Sequence, residues 1–427
     1  MTTVLIVFVL LLILAVPIGY IMGISSLIGL FQMGGWEYLE PVAVSLHSGT
    51  SGYILVSIPF FVLTAEILNQ SGMTTRLVAF ADSLFGHLRG GLSHVNIFVS
   101  ILFAGLTGTA ITDTVAVGGI LIPAMKKQGY TAGYAAAVTA ASSVIGPIIP
   151  PSVVMVIYAS ILRLSVPALF AAALIPGLLC GLGLLVQSWV LSTRRNYPKS
   201  NRATLGTVAR AAIQATPPMG VGIFILGCIL FGITDVSEAA AGGALYALLL
   251  GWIGYRSLGL REIWQSMLNT VVLSGVIFLL IGAAAALGWF ITLSGVVEET
   301  GKWVASLDAS PYIILTLVDA VVLIAGMFID VIPAALVLGP VLSPAMTQLG
   351  VDPIHFAMVM MVGLNIGNTT PPMGMSLMTA SRIARIPYES CMKDAGWFIC
   401  AEIGILLLVT YVPVLSLWLP QMLGYTN

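Results

Sequence analysis

The chain has 427 residues, of which 59% are hydrophobic and 8% are charged, and its formal net charge is −1. A soluble domain carries about 25% charged residues, and proteins that bind nucleic acids need a basic surface. The composition therefore excludes a soluble domain and argues against a nucleic-acid partner. It predicts an all-α polytopic membrane protein, because apolar runs of about 20 residues, each long enough to span a bilayer, recur along the chain.

The first apolar run, Val4 to Leu30, is too long for the apolar core of a signal peptide and has no small-residue cleavage site. We therefore expect it to be retained as a single first span. A second span is expected at 53–70. The segments 74–88 and 296–307 are more amphipathic, and we expect both to lie flat at the membrane surface.

Two stretches of the chain match each other in one register. GLTGTAITDTVAVGGILIPAMKKQGY begins at Gly105, and GMFIDVIPAALVLGPVLSPAMTQLGV begins at Gly326, 221 residues later. The same offset aligns Gly146 with Gly367 and the pair Pro150–Pro151 with Pro371–Pro372. Internal symmetry of this kind, with paired Gly/Pro interruptions in both halves, is typical of secondary transporters and indicates where their binding site lies.

Each repeat is predicted to contain a re-entrant hairpin followed by a discontinuous helix. The expected hairpin arms are the apolar segments 91–104, 114–125, 312–325 and 331–346. The breaks fall at GPIIPPS (146–152) and GNTTPPM (367–373), where proline removes a backbone donor. Irregular backbone at membrane depth is tolerated only where protein or a polar cavity covers it.

The sequence TPPMG also occurs at 216–220, where we interpret it as an ordinary helix start with a threonine cap and an early proline. The pentapeptide alone is therefore a weak signal of a break. Simple kinks remain the alternative explanation of the breaks at 146–152 and 367–373. The preceding hairpins and the shared register favour the binding-site explanation.

Basic residues cluster at 194–210 and flank the first hairpin, whereas acidic residues flank the second hairpin. One topology satisfies this distribution, with the N-terminus in the cytoplasm, the C-terminus outside, and the two repeats inverted. The expected crossings are 4–30, 53–70, 132–162, 167–192, 217–233, 237–257, 267–291, 353–386 and 395–420. The expected units are 1–90 and 164–310 (scaffold), 91–163 and 311–386 (transport), and 387–427 (C-terminal span).

An unwound helix exposes carbonyl oxygens and a negative C-terminal dipole end, which suit a small hard cation such as Na⁺. We therefore expect one cation at each tip and break. The expected ligands of the first cation are Gly105, Thr107, Gly146, Ile149 and Ser152. The expected ligands of the second cation are Gly326, Gly367, Thr370 and Met373.

Acidic residues inside a span are functional candidates by default. Asp330 at the second tip has Thr109 as its repeat mate, and we expect both to face substrate. Asp113 at the first tip is a further candidate, although it could instead cap the half-helix that begins at Thr114. Ser152 and Asn365 complete the expected substrate-binding set; Asn365, like its neighbour Asn368, could instead satisfy only backbone groups.

HLRGGLSHVNIFVSILFAGLTGTAITD, ILIPAMKKQGY, AAAVTAASSVIGPIIPPSVVMVIY and NTTPPMG resemble the large membrane subunit of TRAP (tripartite ATP-independent periplasmic) transporters. The resemblance runs nearly end to end. It implies an ion-transporter-superfamily fold and an elevator mechanism driven by a Na⁺ gradient in the bacterial inner membrane. It also implies a small membrane subunit and a periplasmic solute-binding protein as partners, with an organic acid such as sialic acid or a C4-dicarboxylate as substrate.

Two rival functions remain to be compared with this one. An intramembrane aspartyl protease would use Asp113 and Asp330 as a catalytic dyad, but these residues are not repeat mates. An ion channel would need an open path, against which the sealed hairpins argue. The resemblance implies a transporter and no enzymatic activity.

Overall fold

The computed structural model describes the backbone of residues 2–306 and 309–425, and side chains within these ranges other than those of Thr2, Leu39, residues 105–107 and residues 303–306. The described chain is helical with no strand, so the all-α prediction is confirmed. Eight of its helices are long and apolar enough to cross a membrane, and two bent helix pairs raise this number to ten.

The expectation of one straight span at Val4 to Leu30 is wrong. The run forms two helices, α1 (Thr2–Ile13) and α2 (Ile18–Gly34), separated by a turn in which Ala15 has a φ of 55°. Val4 on α1 lines the same small cavity as Gly29 and Met33 on α2, so the two helices run back along each other. Pro17 explains the interruption, because it lacks a backbone donor and disfavours helix at the residue before it.

The first half continues with eight helices of 4 to 18 residues. They are α3 (Leu39–Thr50), α4 (Ser57–Gln70), α5 (Met73–Phe85), α6 (Gly91–Thr107), α7 (Ala110–Lys127), α8 (Ala132–Ser143), α9 (Ile145–Ile148) and α10 (Val153–Leu162). Helices α6 and α7 form the first hairpin. Helices α8, α9 and α10 form the first discontinuous helix, which bends by 44° at its break.

Longer helices connect the repeats. They are α11 (Val166–Arg194), α12 (Leu205–Leu230), α13 (Val236–Leu249) and α14 (Leu260–Leu293), followed by the amphipathic α15 (Val296–Ser306). The expected helix start at 216–220 is wrong, because α12 runs through Pro217 and Pro218. The hydroxyl of Thr216 donates to the carbonyl of Ala212, one turn earlier, instead of capping a new helix.

The second half repeats the arrangement of the first. Its helices are α16 (Pro311–Phe328), α17 (Val331–Gln348), α18 (Pro353–Gly367), α19 (Met375–Ala384), α20 (Glu389–Tyr411) and α21 (Val414–Met422). The span expected at 395–420 consists of two helices, α20 and α21, which meet at an angle of 57° beside Pro413.

The structure confirms a hairpin and a discontinuous helix in each repeat. Gly108 and Thr109 connect the arms of the first hairpin, and Ile329 and Asp330, at the same offset of 221, connect those of the second. The cis peptide bonds, Pro150–Pro151 and Pro371–Pro372, lie at equivalent places in the two breaks. The hairpin arms are longer than the sequence suggested, with 17 or 18 residues each.

The two repeats pack crosswise on each other. Helix α19 of the second repeat packs against α7 and α8 of the first, and α10 of the first packs against α17 of the second. Around this core, α14 packs along α2, α3 and α4, and α13 packs against α4. This packing buries the first break, whereas Pro372 and Met373 of the second break are exposed.

Candidate functional site

The second tip and the second break are joined by a close glycine–glycine contact. A Cβ atom on Gly326 would lie 2.5 Å from the carbonyl oxygen of Leu364, and one on Gly367 would lie 2.6 Å from that of Leu323. Only glycine permits this approach, since real Cβ atoms do not come so near to backbone oxygens. The contact holds the C-terminal, electronegative ends of α16 and α18 against each other.

Carbonyl oxygens at the second break already take part in local hydrogen bonds. The hydroxyl of Thr370 donates to the carbonyl oxygen of Ile366 at 2.7 Å. The backbone N–H of Thr370 donates to the carbonyl oxygen of Gly367 at 2.9 Å. Each carbonyl oxygen has two lone pairs. Further interaction with a cation is therefore chemically possible at this point of the chain.

Asp330 lies where the second tip meets the second break. Its Oδ1 accepts a hydrogen bond from Asn368 at 3.3 Å, and it lines a cavity of about 660 Å³. Met373, expected as a cation ligand, lines the same cavity and is 47% exposed. The wall opposite the tip is the turn between α1 and α2, including Ala15 and Val16. The cavity is thus mainly apolar, with one carboxylate at its edge.

The first tip also lies close to the first break. Gly108 has a φ of 63°, and a Cβ atom there would lie 3.1 Å from the backbone nitrogen of Val153. Ser152 precedes that nitrogen and caps α10 by accepting from the N–H of Met155 at 3.4 Å. Thr109 caps α7 and donates its hydroxyl proton to Thr112 at 2.7 Å.

The first expected cation site is described only in part. Gly146 lies in α9 and is buried, Ile149 follows the end of that helix in an extended conformation, and Ser152 is fully buried at the start of α10. The side chains at Gly105 and Thr107 lie outside the described residues. The structure therefore brings the described members of this set to one break, without showing how Thr107 completes it.

Asp113 lies in a different environment from Asp330. It is fully buried, and its Oδ2 accepts from the hydroxyl of Ser100 at 2.8 Å. Ser142 lies 3.1 Å from Ser100 and donates to Asn96, so the carboxylate ends a polar cluster between α6, α7 and α8. Asp113, which was expected to bind substrate, therefore contacts Ser100 and does not line the cavity around Asp330.

The two asparagines near the second break have different partners. Asn365, which the sequence suggested as a substrate ligand, is fully buried and donates to the carbonyl of Met361 in its own helix at 2.7 Å. Asn368, left out of the expected set, is the one that contacts Asp330. Its place directly after Gly367, at the break itself, was the signal in the sequence. A fully buried acid, Glu402 in α20, was also left out, although acids inside spans are candidates by default.

Acidic and sulfur ligands do not cluster in the described part of the chain. No group of three or more His, Cys, Asp or Glu side chains stands together there. A cation bound at either break would therefore be held by carbonyl and hydroxyl oxygens, which are the ligands of hard cations.

Comparison with known proteins gives a family that matches almost the whole chain. Residues 5–415 match the model of "Tripartite ATP-independent periplasmic transporter, DctM component". The chain is 35% identical over 384 residues to the sialic acid TRAP transporter large permease protein SiaM of Vibrio cholerae, which covers 90% of each chain. It is 33% identical over 388 residues to the C4-dicarboxylate TRAP transporter large permease protein DctM of Pseudomonas aeruginosa, which covers 91% of each.

A solved structure shares the fold. The YdaH transporter of Alcanivorax borkumensis, whose crystal structure has an unusual topology, superimposes with a TM-score of 0.65 at 14% sequence identity. The match covers 92% of this chain and 90% of that one. This similarity supports the architecture of hairpins and broken helices, and at this identity it extends to the fold alone.

Proposed function

Because this chain belongs to the DctM family of tripartite ATP-independent periplasmic transporters, we propose that it carries an organic acid across the bacterial inner membrane together with Na⁺. The observation that carries the proposal is the contact of Gly326 with Gly367, which holds two helix C-termini together at the second tip and break. Paired C-terminal dipole ends and carbonyl oxygens favour a cation. The repeat mate of Gly367 is Gly146, which is buried at the first break, and this symmetry supports a second cation site.

The substrate site of the proposal is the cavity around Asp330. The carboxylate repels a dianion unless the substrate donates hydrogen bonds to it. A polyhydroxylated monoacid such as sialic acid has such donors, whereas a C4-dicarboxylate such as succinate has none. The relatives named for sialic acid and for C4-dicarboxylates are similarly distant from this chain, so the argument for sialic acid rests on Asp330.

The proposed mechanism is an elevator, in which the two repeat cores move as one body against the remaining helices. Its support is the position of the cavity, which lies between the second tip and the turn joining α1 to α2. These walls belong to the predicted transport and scaffold units, respectively. A moving boundary needs smooth contacts, and the cavity walls are almost entirely apolar.

The proposed partners are those of a tripartite system, namely a small membrane subunit and a periplasmic solute-binding protein that delivers the substrate. The family membership supports both. The N-terminus is proposed to face the cytoplasm and the C-terminus the periplasm, as the distribution of basic residues predicts.

The alternative function, an intramembrane aspartyl protease, is not supported by the positions of the two aspartates. Asp113 is enclosed with Ser100 between the first hairpin and α8, whereas Asp330 faces Asn368 at the second tip. An aspartyl protease needs two carboxylates that share one proton. The Asp113–Ser100 and Asp330–Asn368 pairs do not supply that arrangement.

The proposal is tested by uptake into proteoliposomes that contain this chain and its small subunit. Labelled sialic acid or a labelled C4-dicarboxylate is added outside, with and without the solute-binding protein and an inward Na⁺ gradient. Uptake that requires both supports the proposal and identifies the substrate. Uptake that persists when K⁺ replaces Na⁺ would contradict the cation sites, and a sustained single-channel current would favour a channel.

A further inference from the structure

Glu402 is a carboxyl group buried in the middle of the molecule, behind the second break. It lies on α20, is fully buried, and its Oε1 has no hydrogen-bond partner in the described chain. The one ion pair among the described residues joins Arg195 to Asp394, so the described chain supplies no cationic side chain to Glu402. An ionised carboxylate in such a place costs several kcal/mol.

The contact between Glu402 and Thr369 indicates which group carries the hydrogen. The hydroxyl of Thr369 lies 2.9 Å from the carbonyl oxygen of Ile366 and 3.4 Å from Oε2 of Glu402. A hydroxyl has one hydrogen to donate, and the shorter contact to the carbonyl takes it. The longer contact is then a hydrogen bond only if Glu402 carries a proton and donates it to Thr369.

A second unpaired acceptor lies near the C-terminal end of α18. Asn365 is in the last turn of this helix, and Thr369 lies in the turn that follows it. The amide nitrogen of Asn365 donates to Met361, but its Oδ1 has no partner in the described chain. Two buried acceptors, on Asn365 of α18 and Glu402 of the adjacent α20, are therefore left without a donor in the described chain.

The other repeat shows that the fold does not require these polar groups. At the offset of 221, the positions equivalent to Asn365, Thr369 and Glu402 are Val144, Ile148 and Gly181. A Cβ atom on Gly181 would lie 2.6 Å from the side chain of Ile101, so α11 is closely packed at this point. The second repeat therefore places a carboxyl, a hydroxyl and an amide where the first has only apolar contacts.

The other titratable groups around α20 are few. On α11, which packs against α20, Cys180 is a buried thiol. On α8, Tyr134 packs on Phe398, one turn before Glu402, with ring centroids 5.8 Å apart. On α16, Asp319 accepts from Thr410, two turns after Glu402. None of these groups is a cation that could neutralise the carboxylate.

We propose that Glu402 is a proton-binding site whose proton is bound and released during transport, with Thr369 as its link to the second break. Loss of the proton leaves a carboxylate that accepts only, and the Thr369 hydroxyl must then turn from Ile366 towards Glu402. Thr369 follows Asn368, which donates to Asp330 in the cavity. Binding or loss of the proton on Glu402 thus affects Asp330 through Thr369 and Asn368. This coupling to transport rests on the proposed function, whereas the protonation of Glu402 does not.

The test uses the complete transporter in proteoliposomes at a fixed inward Na⁺ gradient, with the same pH on both sides. Wild-type uptake is expected to fall at alkaline pH, where Glu402 loses its proton. Glu402→Gln resembles the protonated group and is expected to retain uptake and lose the alkaline fall. Asp319→Asn removes another buried carboxyl and serves as the matched control, with an unchanged pH profile.

Two further measurements keep the test decisive if Glu402→Gln does not fold. Thr369→Val is expected to remove the pH dependence of uptake, whereas Thr369→Ser, which keeps the hydroxyl, retains it. Infrared difference spectra of the purified wild-type complex are expected to show a carboxylic-acid carbonyl band that disappears at alkaline pH. Glu402→Gln, where it folds, lacks this band.

Three results would overturn the proton site. They are a Glu402→Gln profile identical to wild type, an infrared band that no pH removes, and a Glu402→Gln effect confined to the Na⁺ concentration for half-maximal uptake. A wild type with a titrating infrared band but without Na⁺-driven uptake would instead refute the proposed function and leave the proton site standing.

Discussion

The side chain of Asn368 donates a hydrogen bond to Oδ1 of Asp330 at 3.3 Å, across 38 residues of sequence. Asn368 is the first residue after α18 ends, and Asp330 is the last before α17 begins. The bond therefore joins the second break to the second tip at the edge of the cavity. A ligand or cation that moves the second tip therefore also moves the second break, and the reverse holds as well.

Removal of this donor is expected to weaken substrate binding. Asn368→Ala leaves Asp330 without its side-chain donor, and a hydrogen bond to a charged group contributes about 1.5–3 kcal/mol, roughly tenfold or more in KM. The KM of uptake in proteoliposomes measures the effect. In the Asp330→Asn background, Asn368→Ala is expected to raise KM little further, because the two residues act as a pair. Full additivity would contradict the coupling.

The charge of Asp330 is expected to select between substrates. Asp330→Asn removes the repulsion of dianions and replaces an acceptor that a polyhydroxylated acid uses. Sialic acid uptake is therefore expected to fall, while uptake of a C4-dicarboxylate is spared or rises. Uptake of both substrates by the variant and the wild type decides the matter, and a variant that transports both like wild type would exclude Asp330 from the site.

The glycine contact between α16 and α18 is expected not to tolerate a methyl group. Gly326→Ala and Gly367→Ala place a Cβ 2.5 or 2.6 Å from a backbone oxygen, and overpacking of this kind typically costs about 1–3 kcal/mol. Both should lower the thermal unfolding temperature and Na⁺-driven uptake. Gly396→Ala in α20, where a Cβ meets nothing within 4 Å, is the control and should be unaffected. Full uptake in Gly367→Ala would show that the contact is dispensable.

Lys126 is expected to fasten the first hairpin to the second broken helix. Its ammonium group donates to the carbonyl of Ala384 at 2.7 Å, at the C-terminal end of α19 where the helix dipole favours a cation. Lys126→Met should cost about 1 kcal/mol of stability. Lys127→Met, at the exposed neighbour, removes the same charge without this bond. Equal unfolding temperatures of the two variants would contradict the fastening role.

Ser100 is expected to stabilise the first hairpin through Asp113. Ser100→Ala removes a donor to a fully buried carboxylate, and an unsatisfied buried group of this type costs about 1–3 kcal/mol. The thermal unfolding temperature should fall accordingly. Ser143→Ala is the control, because that buried hydroxyl donates only to a carbonyl of its own helix, Ala140. If both variants unfold like wild type, Asp113 does not depend on Ser100.

The sequence predicted the repeats because their determinants are local. Glycine at 146 and 367 and proline pairs at 150–151 and 371–372 interrupt helices wherever they occur in an apolar run without other support. The matching stretches placed the tips within 105–113 and 326–330, and the structure has them at Gly108–Thr109 and Ile329–Asp330. The sequence underestimated the length of the hairpin arms, because the residues at which helices end depend on packing.

The errors have the same physical origin. Pro217 and Pro218 were expected to start a helix, yet α12 continues through them. Pro17 was not expected to divide the first run, yet α1 turns back along α2 there. A proline is tolerated or breaks a helix according to whether neighbours satisfy the freed carbonyls, and those neighbours are distant in sequence.

The sequence alone thus determined the helical membrane architecture, the duplication and the two breaks that the repeats share, because composition and the repeated Gly/Pro pattern can be compared directly along the chain. Only the tertiary structure decided the roles of the acids. Asp330 faces a cavity formed with the distant turn of α1 and α2, Asp113 is enclosed with Ser100, and Glu402 lies behind Thr369. In the sequence each is one acid in an apolar run; burial and partner, which set its chemistry, come from helices far along the chain.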